Sequence, residues 1–349
     1  MSTSTTRPFG GARWCSDRER LGIHYPLGAE QAAAARIEAR ARELGFDRVG
    51  FASAAEPLTE DFERYARLVA QGWHGTMSYL AEQLEPRRRV DGPEIVPGAR
   101  TVISLGWCYG RRAAEEAADP PLARLIARYA RGQDYHGFLR KRLGVLAAFV
   151  RALGPGVQAR AFCDTGPVLE RAWAARGGLG FVGHNAMLIA PGLGSYLLLG
   201  EVVTTLALPP GQPVQEQCGA CRACIAACPT GALVAPRIVD PRRCVAYVTT
   251  ELRDAIAPEL RPAVSEHLFG CDRCQEACPH NGDAAEAALA PGPARPLERW
   301  ARLRLPDLVA LDDEGWRAIA RGTALRRVPA WAMARNAQLV AARQAARLR

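Results

Sequence analysis

The stretch CGACRACIAACP, residues 218–229, decides how this chain is read: it sets Cys218, Cys221, Cys224 and Cys228 in the order C-x2-C-x2-C-x3-C and closes on Pro229. Such a loop wraps three thiolates around one cubane of iron and sulfur and sends the fourth to a second cubane. A shorter echo follows in Cys271, Cys274, Cys278 and Pro279, a C-x2-C-x3-C-P, and Cys244 stands alone between the two runs. Together they supply eight thiolates, the number that two 4Fe–4S clusters require. Crossover between the half-motifs assigns Cys218, Cys221, Cys224 and Cys278 to one cluster, and Cys228, Cys244, Cys271 and Cys274 to the other.

Zinc is the competing reading, since tetrahedral thiolate sites also hold that ion. Zinc ribbons use paired C-x2-C knuckles, and three thiolates at two-residue intervals plus a Cys-Pro do not fit around one small ion. A disulfide framework fits less well still. The chain has 349 residues, an odd count of 11 cysteines and no secretory signal, all pointing to a reducing cytosol and a cytoplasmic protein. Two clusters imply electron transfer.

With 48% apolar and 23% charged residues the chain has ordinary globular composition, long enough for two domains or for one core with an inserted module. No apolar run approaches the roughly 20 residues of a membrane-spanning helix, so a soluble protein with no membrane partner is expected. The net charge of +9 is almost wholly arginine, Lys141 being the sole lysine. Arginine binds phosphate bidentately, so the excess permits a nucleic-acid partner without demanding one.

Residues 1–28 are polar and aperiodic and are expected to be a mobile leader. A helix is predicted over Ala29–Leu44, stopped by Gly45, then a strand at 47–52, a helix at 60–71 and a fully buried strand at 101–107. The intervening LEPRRRVDGPEIVPGAR reads as a solvated connector. Helices are predicted at 122–129, 138–153 and 168–176, and a strand at 158–164. Two strands, 186–190 and 195–206, read as a hairpin through PGLG. The pattern predicts an α+β protein with a mixed sheet over 29–212, a ferredoxin-like module over 213–282 with Cys244 on a helix, and a short helical tail over 297–349.

Neither a dinucleotide turn nor a phosphate loop is present: GGLGFVG at 177–183 follows helix rather than strand, and no G-x4-G-K-[ST] occurs. The start of a D-x-H-x-x-G axial-histidine motif, Asp134-Tyr135-His136, fails at Leu139.

Taken together, RYARGQDYH at 128–136, CDTGPVLER at 163–171, GLGFVGHNAMLI at 178–189, the eight cysteines and ALRRVPAWAMARN at 324–336 resemble epoxyqueuosine reductase, from about residue 30 to the end. The resemblance implies a catalytic domain like the flavin-reductase and cobalamin-chaperone folds, with HEAT-like helices in the tail. It also implies cob(II)alamin fed by the two clusters. The implied reaction removes the epoxide oxygen of epoxyqueuosine at the wobble position of tRNA. Implied partners are a tRNA anticodon stem-loop and a small redox protein or other low-potential donor, acting on a monomer.

Matched to the DTGP motif, Asp164 is the expected proton donor, its carboxyl raised by apolar Phe162 and Cys163. A plain helix cap is the alternative. Expected cofactor contacts are Asp164, Arg87, Cys108, Asp134, Tyr135, His136, His184, Asn185 and Leu188. At position 184 the family commonly has lysine, so the histidine departs from its pattern. The cluster completed by Cys278 is expected nearest the corrin, and the one holding Cys244 nearest the donor. Rival functions are a corrinoid-dependent reductase of a small molecule and a ferredoxin-type electron carrier.

Overall fold

The structure, a computed structural model, describes residues 28–111, 113–282 and 292–349; the leader, including Cys15, and most of the Ala/Gly/Pro-rich segment before the tail lie outside the described residues. At its centre is a four-stranded sheet, and the described residues hold the strands β1 (Arg48–Ser53), β2 (Thr101–Cys108), β3 (Ala159–Phe162), β4 (Phe181–Val182), β5 (Leu188–Ile189), β6 (Leu197–Thr204), β7 (Leu233–Ala235) and β8 (Ile238–Val239). The four-stranded sheet runs β1-β2-β6-β3, each neighbouring pair antiparallel.

Every residue of β2 is buried because both faces of the sheet are covered. Ile103 and Leu105 pack with Val202 under the helices Ala29–Glu43 and Tyr135–Arg151, through Ile37, Leu139 and Leu143. Val102, one residue out of phase, packs with Val203 on the opposite face, under Trp173 of the helix Glu170–Arg176. A strand covered on two sides loses its polar alternation, which is why TVISLGW reads as a continuous apolar run.

Three sequence expectations change here. The strands at 186–190 and 195–206 do not form a hairpin: β5 pairs with β4 through a turn at Gly183–Met187, while β6 runs between β2 and β3. The Pro191–Gly194 link holds only an isolated bridge, Ala190 to Gly194. The helix expected over 122–129 is instead two 3-10 turns, Ala123–Leu125 and Arg128–Ala130. Between them Ile126 takes extended backbone and bridges Phe269, so tertiary pairing overrides the apolar period. The connector at 84–100 begins with a helix, Leu84–Arg88, in which Arg87 is buried.

The cysteine-bearing segment lies against the sheet domain. Gly194 (φ +72°) approaches Asn281 so closely that a Cβ would sit 2.1 Å from its Oδ1, and that oxygen accepts the Ser195 N–H at 2.7 Å. The tail helices pack on both parts: Trp300, Leu308, Trp316 and Met333 share one core with Leu122, Ile126, Leu268 and Phe269. Asn336, fully buried on the Ala330–Arg347 helix, donates to the carbonyls of Thr249 and Leu268, both at 3.0 Å. Truncating the tail would therefore strip a core, not an appendage. No helix among the described residues is long and apolar enough to cross a membrane.

Candidate active site

Two cavities meet at Asp164. The larger, about 660 Å³, is walled by Tyr65, Leu68, Trp73, Val168 and Met187 and ends among Cys228, Cys244, Cys271 and Cys274. The smaller, about 480 Å³, is polar, with Tyr79, His136, Arg140, Glu251, Arg326 and Arg327 around it. Asp164 and Tyr129 line both.

Asp164 follows the end of β3 in a left-handed conformation (φ +58°), unusual outside glycine. Its N–H donates to Glu170 Oε1 at 2.6 Å, and its Oδ2 lies 2.9 Å from His136 Nε2. His136 Nδ1 lies 2.7 Å from Asp134 Oδ1, which also accepts the His136 N–H at 3.0 Å as the N-cap of the Tyr135–Arg151 helix. Capping thus fixes a carboxylate–imidazole–carboxylate line. Asp164 itself caps nothing: the helix after it starts at Glu170, with Leu169 at the cap.

Burial pushes the His136 imidazolium down, but its two carboxylate neighbours outweigh this and raise it to about 9. For Asp164 the balance is opposite to the sequence expectation. Burial pushes its carboxyl up, yet His136, Arg327 and Tyr135 together hold it below the usual carboxylate range. At neutral pH the proton of this pair therefore sits on His136, beside an ionised Asp164.

The thiols fall into two sets. Cys218, Cys221, Cys224 and Cys278 act electrostatically on one another, and Cys228, Cys244, Cys271 and Cys274 do the same among themselves. No described cysteine is in a disulfide. Burial pushes Cys271 up to about 12, so a set of ionised thiolates here calls for a cationic centre. The Cys244 set lines the larger cavity, whereas Cys221 is exposed. None of the set holding Cys278 lines that cavity, so a corrin placed there would stand nearer the Cys244 set, the opposite of the expected order. Cys244 also precedes its helix, on extended backbone (φ −71°, ψ 125°) as the cap of Val245–Thr250.

Of the expected cofactor contacts, Arg87 and Asn185 line the larger cavity, and Asp134, Tyr135 and His136 line the smaller. Three others line neither. Cys108 is buried with Leu188 in a small core, its Sγ 3.9 Å from the Leu193 carbonyl. The turn at 183–187 carries His184 towards the first cysteine loop, with Nδ1 2.8 Å from the Cys221 carbonyl and its N–H donated to Cys218 Sγ at 3.4 Å. Arg222, 3.1 Å from that Nδ1, supplies a permanent positive charge beside the histidine.

Three buried polar atoms on the larger cavity's lining residues have no partner among the described residues: His74 Nδ1, Arg87 Nε and Asn185 Nδ2. The cavity they back is walled mainly by apolar side chains with a few polar groups, a lining that suits a large, mostly apolar ligand. Sequence reasoning missed His74, Tyr79, Glu170, Glu251 and, as site residues, Arg326 and Arg327. The adjacent arginines in ALRRVP read only as tail charge, and nothing local connects them to a pocket that gathers Tyr79, His136, Asp164 and Glu251 from far upstream.

The mixed α/β fold, the paired thiol sets and the acid–base cluster between two cavities define an iron–sulfur oxidoreductase. The family model described as "4Fe-4S double cluster binding domain" matches residues 217–281, and that described as "Epoxyqueuosine reductase QueG, DUF1730" matches 89–165. The chain is 43% identical over 315 residues to the epoxyqueuosine reductase of Gloeobacter violaceus, covering 87% of this chain and 94% of that protein. It superposes on a crystal structure of epoxyqueuosine reductase with an epoxyqueuosine-modified tRNA-Tyr stem loop (TM-score 0.79, 28% identity, 89% of this chain and 81% of that one). The Bacillus subtilis enzyme, solved with its catalytic aspartate loop swung out of the active site, gives a TM-score of 0.74 at 27% identity, over 89% of this chain and 81% of that one. The chain belongs to the epoxyqueuosine reductase family, enzymes of queuosine synthesis in tRNA.

Proposed function

We propose that this chain removes the epoxide oxygen of epoxyqueuosine in tRNA, with the modified nucleoside in the smaller cavity and a corrinoid in the larger. The observation that carries the reading is the position of Asp164, shared by both cavities. The overall change is epoxide plus two electrons and two protons to alkene plus water.

Cobalamin, when bound, would supply a low-potential cobalt centre for that reduction, and Tyr65, Trp73, Val168, Met187, Arg87 and Asn185 are the cavity residues that would hold it. The residues proposed to hold 4Fe–4S clusters are Cys218, Cys221, Cys224 and Cys278 on one side, and Cys228, Cys244, Cys271 and Cys274 on the other. The exposed Cys221 marks the side from which a small redox protein would deliver electrons. The fine fold, a flavin-reductase and cobalamin-chaperone-like domain over 29–212 followed by the cluster module (213–282) and tail (297–349), belongs to the same reading, as does a cytoplasmic monomer.

The protein's own residues manage the protons. His136 holds one, and Asp164 at 2.9 Å is the atom through which it reaches the departing oxygen. Asp134 keeps the imidazole oriented and charged. Arg140, Arg326 and Arg327 give the mouth of the smaller cavity a positive edge suited to the phosphates flanking a flipped-out base.

The test is nucleoside mass spectrometry of epoxyqueuosine-containing tRNA, incubated with cofactor-loaded protein and a strong reductant. Conversion to queuosine is expected. Unchanged epoxyqueuosine alongside reduction of small halogenated or epoxide substrates would move the chain to the rival class of small-molecule reductases.

A further inference from the structure

Two carboxyl groups behind Asp164 have no role in the account so far. Glu201 lies in the middle of β6, opposite Ser104 on β2 and Phe162 on β3, and is fully buried. Neither of its carboxyl oxygens meets a hydrogen-bond donor among the described residues. The group its side chain does meet is the carboxyl of Glu170, the first residue of the Glu170–Arg176 helix. Two acceptors can join there only through a shared proton. Glu170 in turn accepts the Asp164 N–H at 2.6 Å.

We propose that Glu201 is a positioning residue: it holds one proton against the Glu170 carboxyl, and Glu170 pins the Asp164 N–H so that the left-handed turn presents Asp164 to His136 and to both cavities. A strained single residue persists only where its surroundings over-determine it, and here the tether is Glu170. An ionised Glu201 would push Glu170 away, and an apolar residue would leave Glu170 without its donor. The environment favours the protonated form: burial raises both carboxyls, and the charges acting on the pair are Asp164, which also raises Glu170, and Arg171, which lowers it. Cys163 and Tyr135 face the pair as neutral groups, themselves held protonated by burial. The inference rests on the reading of Asp164 as the group that delivers the proton.

The test compares Glu201→Gln and Glu201→Leu in cofactor-loaded enzyme, with kcat and KM on a modified stem loop and hydrogen exchange at the Asp164 amide. Leucine fits an apolar core strand, and glutamine keeps a donor without needing a proton. Glu201→Leu is expected to lower kcat about tenfold or more with KM unchanged, and to speed exchange at Asp164 but not along β2 and β6. Glu201→Gln is expected to stay within about threefold of wild type in kcat, with the amide protected. Wild-type kcat and protection in Glu201→Leu, or an equal loss in both variants, would overturn the proposal. Should Asp164→Asn retain turnover, the reading of the acid fails, yet the amide exchange still decides whether the tether exists.

Discussion

The two cavities that meet at Asp164 are built from different materials. The larger has apolar walls, orphaned polar atoms and a floor of thiols, and comes from the sheet domain and the cysteine segment. The smaller is rimmed by charge, and its outer edge comes from the tail, through Arg326 and Arg327. In the proposed function the first would keep water from a redox group and the second would meet a polyanion. If that function holds, the contrast teaches that the reaction is divided by place, with electrons reaching Asp164 from one side and the charged substrate from the other.

The largest effects should come from breaking the thiol side. Cys244→Ser is expected to lower turnover at least ~100-fold with any reductant, about 2.7 kcal/mol of lost transition-state stabilisation. Cys221→Ser, at the exposed end, should lose turnover with a protein donor but recover much of it with a small-molecule reductant that reaches the inner set directly. Equal losses under both reductants would erase the distinction between the two ends.

The substrate side should respond more gently. Arg327, paired with Glu251 and 3.0 Å from the Tyr79 hydroxyl, stands at the polar rim. Arg327→Ala should raise KM for the modified stem loop about tenfold and flatten the salt dependence by about one phosphate contact, with a smaller loss in kcat because Asp164 gives up one of the charges that hold it ionised. A kcat loss at constant KM would place Arg327 with the acid instead.

The smallest expected change is a shift in pH. Because His136 titrates at about 9, above its ordinary value, the protonated pair is present at neutral pH and is lost as pH rises through that region. Activity should therefore fall on the alkaline side near pH 9. Asp134→Asn removes one of the two carboxylates holding that proton, so its alkaline limb should move to lower pH. An unmoved limb would show that another group sets it.

How far the sequence carried this account depends on how local each signal was. The cysteine loops were legible because ligand spacing within 12 residues is covalent arithmetic, and TVISLGW was legible because a strand covered on both faces has no polar phase. The β5–β6 hairpin was misread because PGLG looks like a turn, while the pairing that wins is β5 with the two residues of β4. The 122–129 segment was misread because its apolar period serves two 3-10 turns packed on Phe269. At the site, the sequence singled out Asp164, which lines both cavities, but not the direction of its ionisation. Neighbouring apolar residues suggested a raised carboxyl; a histidine 28 positions earlier in the chain reverses it. The order of the thiol sets, too, is tertiary: no spacing tells which loop faces a cavity.

The central claim, that Asp164 joins the two cavities as the proton-delivering group, is tested most directly by Asp164→Asn in cofactor-loaded enzyme. The measurement is queuosine formed per enzyme on the modified stem loop, read by mass spectrometry beside the cluster and corrinoid absorption of the same sample. We expect both absorptions at wild-type level and turnover reduced by about 100-fold or more. Wild-type turnover with both cofactors in place would contradict the account.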